Sequence, residues 1–454
     1  MRLRRVFLAA LLCDCGSADP GADSGADETH GGGSTGDTTG VATQTAGSGD
    51  DTATLPTTTG LDTTTGADTT GAATSAGTTG ELPDYSDSPC WGKPASTLVY
   101  SGKTHEIAPV AATCRAEGDR SFVIVADSLW DDGSVDQAAV NGFMHRYELF
   151  TPDASVDPGR GVIHNDEAVF GSLDAAALPN GKVSIFIVDS EGGGDGYLCS
   201  WCDYPQLHLD GTVLTPLAGD DALSISAHES YHLIHRGYDA DEEVWIDESL
   251  AQAAMTANGF FTDDEWLDDF RLAPDQDWGP GGVDFGTFNY GAGLLWGTFL
   301  YERGGSALMT AITAEPDNGW AGLDAALAAV GDDSDAWSLF LDMGVAMVAD
   351  RPELGHGFAA FDIGEVAREG DLTAGAGAEG TVEPGGFDVY RLIGPGPLTV
   401  GVTGAGIAAR AFRIADDIVV VDPVGGATLP FDLDDEAYLL VSAQDGGNYT
   451  ITVQ

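Results

Sequence analysis

The sequence predicts an α+β domain, with a mixed sheet first and a helical half after it, followed by a small all-β sandwich and preceded by a disordered spacer. Three patterns predict this arrangement. Short apolar, β-branched runs lie between residues 121 and 214, a helical pattern follows to about Asp350, and closely spaced strand-like runs begin near Leu372. Residues 17–84 carry almost no large apolar side chains, so they cannot offset the entropy lost on ordering.

The N-terminus has the layout of a secretory signal. A basic stretch with three arginines precedes Val6–Leu12, an apolar segment too short to span a bilayer. We therefore expect residues 1–16 to be a signal peptide and the protein to be secreted or tethered at the outer surface. Cys13 and Cys15 are candidate sites for a lipid anchor. Residues 17–84, rich in Thr, Gly, Ser and Asp, are expected to form a disordered linker.

Acidic residues dominate the charge of the chain. Asp and Glu number 73 against 18 Lys and Arg, which gives a formal net charge of −55. Nucleic acids and anionic membrane surfaces are recognised by clustered cations, so this composition argues against both as partners. No apolar run approaches the length of a membrane-spanning helix. A protein or peptide substrate and metal ions are the expected partners, and the sequence leaves the oligomeric state open.

The remaining cysteines favour disulfides in an exported chain. We expect Cys90 and Cys114 to close the start of the folded region, and Cys199 and Cys202 to form a tight bridge in a loop. A zinc-ribbon or redox role for the second pair is the weaker interpretation, because the chain has no second CxxC motif.

Local patterns place the elements of the two predicted domains, residues 85–371 and 372–454. In the first domain, helical spacing predicts a helix over Ser134–Phe150 and mainly helical structure from Asp220 onward. The predicted strands of the first domain, including two short pieces, are Ser121–Ala126, Gly161–His164, Val169–Gly171, Lys182–Asp189 and Gln206–Leu214. The predicted strands of the second are Phe387–Leu392, Leu398–Thr403, Ala411–Ile414, Ile418–Val421, Ala437–Ala443 and Tyr449–Val453.

One predicted helix, from Asp220 to about Gly237, contains an HExxH motif that begins at His228. The imidazoles of His228 and His232 lie one turn apart on the same face and can bind one Zn²⁺. Glu229, next to the first histidine, can take a proton from a water molecule that the metal activates. A third histidine, His235, lies about 10 Å along the axis from His228, which is too far to share the ion.

A catalytic zinc site needs a third protein ligand. Glu248 lies sixteen residues after His232, in a segment whose apolar residues predict a packed second helix. That distance allows the chain to turn and bring the second helix back antiparallel. A carboxylate inside such a helix needs a partner, and zinc would be one. Four acidic residues of the intervening turn are rival ligands: Asp239, Asp241, Glu242 and Glu243.

The segment HESYHLIH followed by WIDESLAQ resembles the gluzincin metallopeptidases, especially the hyicolysin-like and immune-inhibitor-like secreted enzymes. The resemblance covers roughly residues 121–305 and implies a zincin-type fold, with His228, His232 and Glu248 as zinc ligands and Glu229 as general base. One departure from the family pattern is Ser249, which stands where those enzymes have glycine. The strand that lines the substrate in that family is best matched here by Gln206–Leu214.

Further residues have expected supporting roles. The tyrosine-led segment that starts at Tyr290 is similar to a helix of the same enzymes, and Tyr290 could donate a hydrogen bond to an oxyanion or simply pack. His235 is a second candidate for that donor. Asp247 or Gln252 could orient a ligating histidine. Calcium is a second candidate ion at three acidic runs: Asp189–Asp195, Thr262–Asp269 and Asp432–Glu436.

The sequence therefore predicts a secreted, zinc-dependent endopeptidase whose C-terminal module resembles the pre-peptidase C-terminal domains of secreted bacterial peptidases. A surface-tethered binding or adhesion protein with a structural or degenerate zinc site is the alternative from another class. The retained Glu229 argues against it, because a structural zinc site has no use for a base there. A zinc hydrolase of a non-peptide amide or ester is equally compatible with the chemistry.

Overall fold

The computed structural model describes residues 82–260, 265–276, 290–430, 432 and 435–454. The expected signal peptide over residues 1–16 lies outside the described residues. The same holds for the lipid-anchor candidates Cys13 and Cys15 and for nearly all of the linker over residues 17–84.

The first part of the described chain alternates strands and short helices. Its strands are β1 (Pro94–Ser101), β2 (Glu106–Glu117), β3 (Ser121–Ala126), β4 (Val183–Val188), β5 (Gly196–Cys199) and β6 (Gln206–Asp210). Its helices are α1 (Asp127–Asp131), α2 (Gln137–Glu148) and α3 (Val162–Phe170).

A helical half follows, as the sequence predicts. Its helices are α4 (Asp220–Tyr238), α5 (Val244–Ala257), α6 (Glu265–Leu272), α7 (Tyr290–Thr313), α8 (Gly319–Ala329) and α9 (Ala336–Ala349). Helix α7 is interrupted at Gly305, whose φ of 56° favours glycine. Within the described chain, no helix combines the length and the apolar character that crossing a bilayer requires.

The last part is built of strands. They are β7 (Gly370–Thr373), β8 (Gly377–Val382), β9 (Phe387–Ile393), β10 (Leu398–Thr403), β11 (Ile407–Ile414), β12 (Ile418–Val421), β13 (Ala427–Leu429), β14 (Glu436–Ala443) and β15 (Gly447–Val453). All six strands predicted for this region are present.

The first six strands form one mixed sheet in the order β1-β2-β3-β4-β6-β5. Strands β3, β4 and β6 run parallel, whereas β1, β2 and β5 pair antiparallel with their neighbours. The sheet curls strongly. Thr97 on β1 donates a 2.8 Å hydrogen bond to Gln206 on β6, although three strands separate β1 from β6 in the sheet. The predicted mixed sheet is confirmed.

The curled sheet has a buried core on each face. One face contributes Val123, Val125 and other side chains to the large core that the helices share. A smaller core on the other face includes Val99, Phe186 and the Cys90–Cys114 disulfide. The second predicted disulfide, Cys199–Cys202, is also formed. Both bridges are confirmed, and they are compatible with an extracellular protein.

One sequence-based expectation is wrong. The segments Gly161–His164 and Val169–Gly171 are predicted as strand pieces, but they belong to the single helix α3. Short apolar runs do not by themselves distinguish a strand from a buried helix. Here the buried pairs Val162–Ile163 and Val169–Phe170 lie seven residues apart, which puts them on one face of a helix.

The C-terminal strands form two sheets that face each other around a shared apolar core. Strands β13, β10, β15 and β8 make a four-stranded sheet, and β12, β11, β14, β9 and β7 make a five-stranded one. Val400 and Ile451 from the first sheet pack with Leu439 and Ala411 from the second. The predicted small β-sandwich is thus present in the described residues.

The five-stranded sheet also packs on the helical half. Phe387 on β9 stacks on Phe340 of α9, with ring centroids 4.8 Å apart, and both side chains belong to the large core. Gly344 on α9 leaves room for this contact, because a Cβ there would lie 2.8 Å from the Phe387 ring. The boundary at residue 372 remains a prediction, but a continuous core extends across it.

We predict that Phe387→Ala lowers the free energy of unfolding of the helices and the C-terminal strands together by about 3–5 kcal/mol, because it opens a cavity between them. Equilibrium unfolding in denaturant should show one transition, shifted to lower denaturant. Ile393→Ala is the matched control, since Ile393 is on the same strand but exposed, and it should change stability by less than about 1 kcal/mol. Two separate transitions in the parent protein would contradict the shared core.

A carboxyl group on α3 is fully buried. Asp166 on α3 accepts a 2.6 Å hydrogen bond through Oδ1 from Nδ2 of Asn258. Its Oδ2 has no hydrogen-bond partner among the described residues. Burial, with a smaller contribution from the nearby charge of Glu167, raises the pKa of the Asp166 carboxyl well above its usual range.

We predict that Asp166→Asn stabilises the protein at pH 7. The unfolded carboxyl loses its proton near pH 4, whereas the folded one keeps it to higher pH. The folded state therefore binds more protons in that range, and the free energy of unfolding of the parent falls as the pH rises above about 4. Denaturant unfolding at pH 7 should show a gain on the order of 1–3 kcal/mol that vanishes near pH 4. A variant less stable than the parent at pH 7 would contradict this account.

Candidate metal centre

Helix α4 carries the HExxH motif across the middle of the core. Leu223, Ala227, Tyr231 and Ile234 recur at helical spacing and are fully buried, so they fix this helix against the core. Asp220 and Asp221 lie in its first turn rather than capping it, where their charges still favour the helix dipole.

The end of α4 differs slightly from the expectation. The helix continues one residue beyond Gly237, to Tyr238. A Cβ on Gly237 would lie 2.5 Å from the backbone nitrogen of Ala176. Glycine is therefore needed here because the backbone around Ala176 packs closely against α4, and not because the helix ends at this residue.

Helix α5 is held by a close contact with α7. A Cβ on Gly297 of α7 would lie only 1.9 Å from the carbonyl oxygen of Ser249, so the two backbones touch at this point. Ser249 stands where the resembling enzymes have glycine, and its hydroxyl donates a 2.5 Å hydrogen bond to the carbonyl oxygen of Trp245. The hydroxyl group of Ser249 is thus satisfied by a hydrogen bond within α5.

The structure brings together the three residues that the sequence predicts as ligands. Nε2 of His228 lies 3.1 Å from Nε2 of His232 and 3.2 Å from Oε2 of Glu248. The third separation, from Nε2 of His232 to Oε2 of Glu248, is 3.8 Å. Donors bound at about 2.1 Å in tetrahedral directions are about 3.4 Å apart. The three atoms are therefore close enough together for the group to hold one metal ion.

Three of the four rival ligands make hydrogen bonds within the turn or with the helices α5 and α8. Asp239 accepts a hydrogen bond from the backbone of Asp241, and Glu242 accepts one of 2.9 Å from the backbone of Gly319. Glu243 accepts a hydrogen bond from the indole of Trp245. The acidic turn between α4 and α5 thus stabilises the connection and the start of α8.

Asp247, next to Glu248, contacts two histidines of α4. Its Oδ2 lies 2.8 Å from Nδ1 of His232, and its Oδ1 accepts a 2.6 Å hydrogen bond from Nδ1 of His235. Asp247 and Gln252 were both expected as residues that orient a ligating histidine. Among the described contacts, Asp247 reaches His232 and Gln252 does not reach a ligand. A carboxylate at Nδ1 keeps the Nε2 lone pair of His232 directed at the other two donors.

The carboxylates around His232 change its titration. Burial favours the neutral imidazole, but the nearby carboxylates of Asp247 and Glu248 outweigh burial and raise the pKa of His232 to about 10. The site therefore attracts positive charge. A cation at the three donor atoms would take the place of that proton.

Glu229, which follows His228 in the motif, is buried close enough to the ligand group to interact with the charges of His228 and His232. Only 3% of its surface is exposed. Burial is the main cause that raises the pKa of its carboxyl, and the charges of His228 and His232 oppose this shift. A carboxylate with a raised pKa accepts a proton more readily, which is what a general base needs.

Tyr290 begins the described part of α7 close to this group. Its ring stacks on Trp266, with centroids 4.6 Å apart. Burial, then the negative charges of Glu248 and Glu229, raise the pKa of its hydroxyl well above the usual range. The hydroxyl thus stays protonated and able to donate. His235, the other candidate donor, is instead turned to Asp247.

Strand β5 offers an open edge beside the site. The segment Gln206–Leu214, expected to line the substrate, forms β6 over Gln206–Asp210 and is paired on both sides by β4 and β5, so its backbone offers no unpaired edge. Among the described strands, β5 pairs with β6 alone. A Cβ on Gly196 of β5 would lie 2.4 Å from the side chain of Ile225, one turn before His228, so this strand lies directly against α4. Sequence patterns do not show which strand is at an edge.

A second group of potential ligands is occupied by other bonds. Cys199, Cys202 and His208 lie close together, but the two sulfurs form a disulfide. His208 contacts the hydroxyls of Tyr197 and Thr97 through its two nitrogens, at 2.8 and 3.0 Å. The three acidic runs were expected as candidate calcium sites. Their described residues do not bring three potential ligand atoms together. Parts of two of those runs, in Thr262–Asp269 and Asp432–Glu436, lie outside the described residues.

Comparisons with solved structures give matches to small domains that cover about a fifth of this chain. No protein-family model matches the chain, and no curated protein matches it in sequence. The pre-peptidase C-terminal domain of a Bacillus anthracis collagenase is similar at 14% identity, over 19% of this chain and 97% of that chain, with a TM-score of 0.14. The periplasmic g-type lysozyme inhibitor PliG of Salmonella Typhimurium is similar at 17% identity, over 18% of this chain and 98% of that chain, with a TM-score of 0.15. A weak similarity to a pre-peptidase C-terminal domain is thus present, whereas no metallopeptidase family is matched.

We predict that one Zn²⁺ ion binds per chain and stabilises the folded protein, because it binds the assembled donors and not the unfolded chain. At a zinc concentration of about 100 times Kd, the free energy of unfolding should rise by about 2.7 kcal/mol. His228→Ala should remove this gain. His164→Ala, a histidine on α3 outside the group, should keep it. Metal content and denaturant unfolding, with and without zinc, measure both effects; an equal gain in the two variants would contradict the assignment.

Proposed function

We propose that this protein is a zinc-dependent hydrolase that cleaves peptide bonds, with His228, His232 and Glu248 as ligands and Glu229 as general base. The observation that carries the proposal is the convergence of the three donor atoms, 3.1–3.8 Å apart, next to a buried glutamate. A purely structural metal site would have no use for that glutamate.

The donor set favours zinc over other common ions. Two imidazole nitrogens and one carboxylate oxygen suit Zn²⁺, whereas Ca²⁺ and Mg²⁺ prefer six or more oxygen ligands. Three protein ligands leave one tetrahedral position for water or substrate, which is typical of catalytic rather than structural zinc sites. The side chains of His232 and Glu248 are 11% and 12% exposed, so the group is reached from the surface.

The proposed reaction is hydrolysis by activated water. Zinc bound at this site would act as a Lewis acid that polarises a carbonyl group and makes water more acidic. The Glu229 carboxylate accepts a proton from the attacking water as the carbon–oxygen bond forms. It then delivers that proton to the leaving nitrogen as the carbon–nitrogen bond breaks. The Tyr290 hydroxyl donates a hydrogen bond to the developing oxyanion.

Strand β5 supports a peptide as the substrate. Its face lies against the turn of α4 that precedes the ligands, and its outer edge is unpaired among the described strands. An extended peptide can pair with such an edge through its backbone, which would place its carbonyl groups beside the metal centre. A small ester or amide would not need this edge.

We also propose that the protein acts outside the cell. Its two disulfides need an oxidising compartment to form and persist. The N-terminal sequence pattern would direct the chain there, either free or tethered by lipid at Cys13 or Cys15.

We predict that Glu229→Gln lowers kcat by a factor of about 10² to 10⁴ while zinc stays bound, because glutamine cannot accept the proton. Cleavage of a mixed peptide library, read by mass spectrometry, measures activity. Asp221→Asn is the matched control, because it makes the same acid-to-amide change on the exposed first turn of α4. Tyr290→Phe should lower kcat by a smaller factor and leave metal content unchanged.

The outcomes separate the proposal from its competitors. Cleavage by the parent and by Asp221→Asn, with loss in Glu229→Gln, supports a zinc peptidase. Undiminished cleavage by Glu229→Gln would contradict the role of the base. Stoichiometric zinc without peptide cleavage, but with hydrolysis of small esters or amides, would contradict the peptide substrate.

A further inference from the structure

The third histidine of α4, His235, is buried in an unusual setting for a core residue. Only 2% of its surface is exposed, and its ring lies against that of Tyr231 with centroids 5.2 Å apart. Nδ1 donates a 2.6 Å hydrogen bond to Oδ1 of Asp247. Nε2 has no hydrogen-bond partner among the described residues.

Packing alone does not explain an imidazole at this position. Burying a polar nitrogen without a partner costs free energy, which a phenylalanine or leucine of similar volume would not incur. Among the described residues, Asp247 is the one polar partner of the buried His235 ring. The histidine therefore contributes that bond, at the expense of an unpaired nitrogen.

Asp247 depends on two contacts for its orientation. One carboxylate oxygen faces Nδ1 of His235, and the other lies 2.8 Å from Nδ1 of His232. The hydrogen bond at one oxygen and the ion-pair contact at the other both restrict rotation of the carboxylate about its χ2 bond. The Asp247 side chain is 33% exposed, so without His235 water could compete for the oxygen that is released.

We propose that His235 is a positioning residue of the metal centre: it holds the Asp247 carboxylate, which fixes the ring of His232 with Nε2 toward His228 and Glu248. The inference rests on the proposed function, because it assumes that these three residues bind zinc. It goes further by assigning a role to a buried residue that is not itself a ligand. Loss of such an outer partner typically weakens metal binding by about ten- to a hundredfold.

The test compares four variants of the full chain by zinc affinity, measured in competition with a chromophoric chelator. His235→Asn keeps a side-chain nitrogen near the position of Nδ1, whereas His235→Gln shifts it toward the position of Nε2. His235→Phe keeps the ring and removes the bond. His208→Phe is the control for losing a buried, hydrogen-bonded histidine outside the metal group. The absorption spectrum of the Co²⁺-substituted protein reports the ligand geometry in each.

We expect zinc binding about ten- to a hundredfold weaker in His235→Phe and His235→Gln, with an altered Co²⁺ spectrum, and near-parental values in His235→Asn and His208→Phe. If His235→Phe does not fold, the contrast between His235→Asn and His235→Gln decides. Parental affinity and spectrum in both His235→Phe and His235→Gln, or equal losses in His235→Asn and His235→Gln, would overturn the positioning role. A parent protein that binds no zinc would instead overturn the proposed function, and this inference with it.

Discussion

Contact between the backbones of α5 and α7 is the constraint on which the metal centre depends. At Gly297 a Cβ would lie 1.9 Å from the carbonyl oxygen of Ser249, so α7 can approach α5 only where it has glycine. The contact is made at Ser249, the residue after Glu248, and it therefore holds this part of α5 in place. Helix α5 also packs against α4, which carries the two histidines. Because the three donor atoms come from two different helices, their separations of 3.1–3.8 Å hold only while the register between those helices is fixed. The large apolar core and the β-sandwich packed on it keep that register.

The same geometry concentrates negative charge where water is largely excluded. Glu229, Asp247 and Glu248 all lie around the two HExxH histidines. Carboxylates this close together repel one another, most strongly between the largely buried Glu229 and Glu248. Positive charge at the donor atoms offsets this cost, which is why the pKa of His232 rises to about 10. A divalent cation would offset it further. In the proposed function, the charge that makes the site costly to fold is the charge that would hold the metal and accept a proton in the reaction.

Residues whose relationship is local in sequence were predictable. The two histidines of the motif share one helix face, so their spacing indicated them as a pair. Spacing left Glu248 as one of several acidic candidates for the third ligand, and the resemblance to the gluzincins favoured it. Contact between Asp247 and a ligating histidine was expected, but its second partner, His235, was not predictable, because that contact depends on the register of α4 against α5. Helix α3 was mistaken for two strand pieces because its apolar residues come in short pairs that fit either structure. The open edge at β5 could not be identified either, because strand order in a sheet is set by long-range packing.

A crystal structure of the zinc-loaded protein, with anomalous diffraction recorded on both sides of the zinc absorption edge, tests the central claim most directly. The account predicts one anomalous peak about 2.0–2.2 Å from Nε2 of His228, Nε2 of His232 and a carboxylate oxygen of Glu248, with Asp247 contacting both His232 and His235. No peak at these atoms, or a peak elsewhere in a crystal saturated with zinc, would contradict the account.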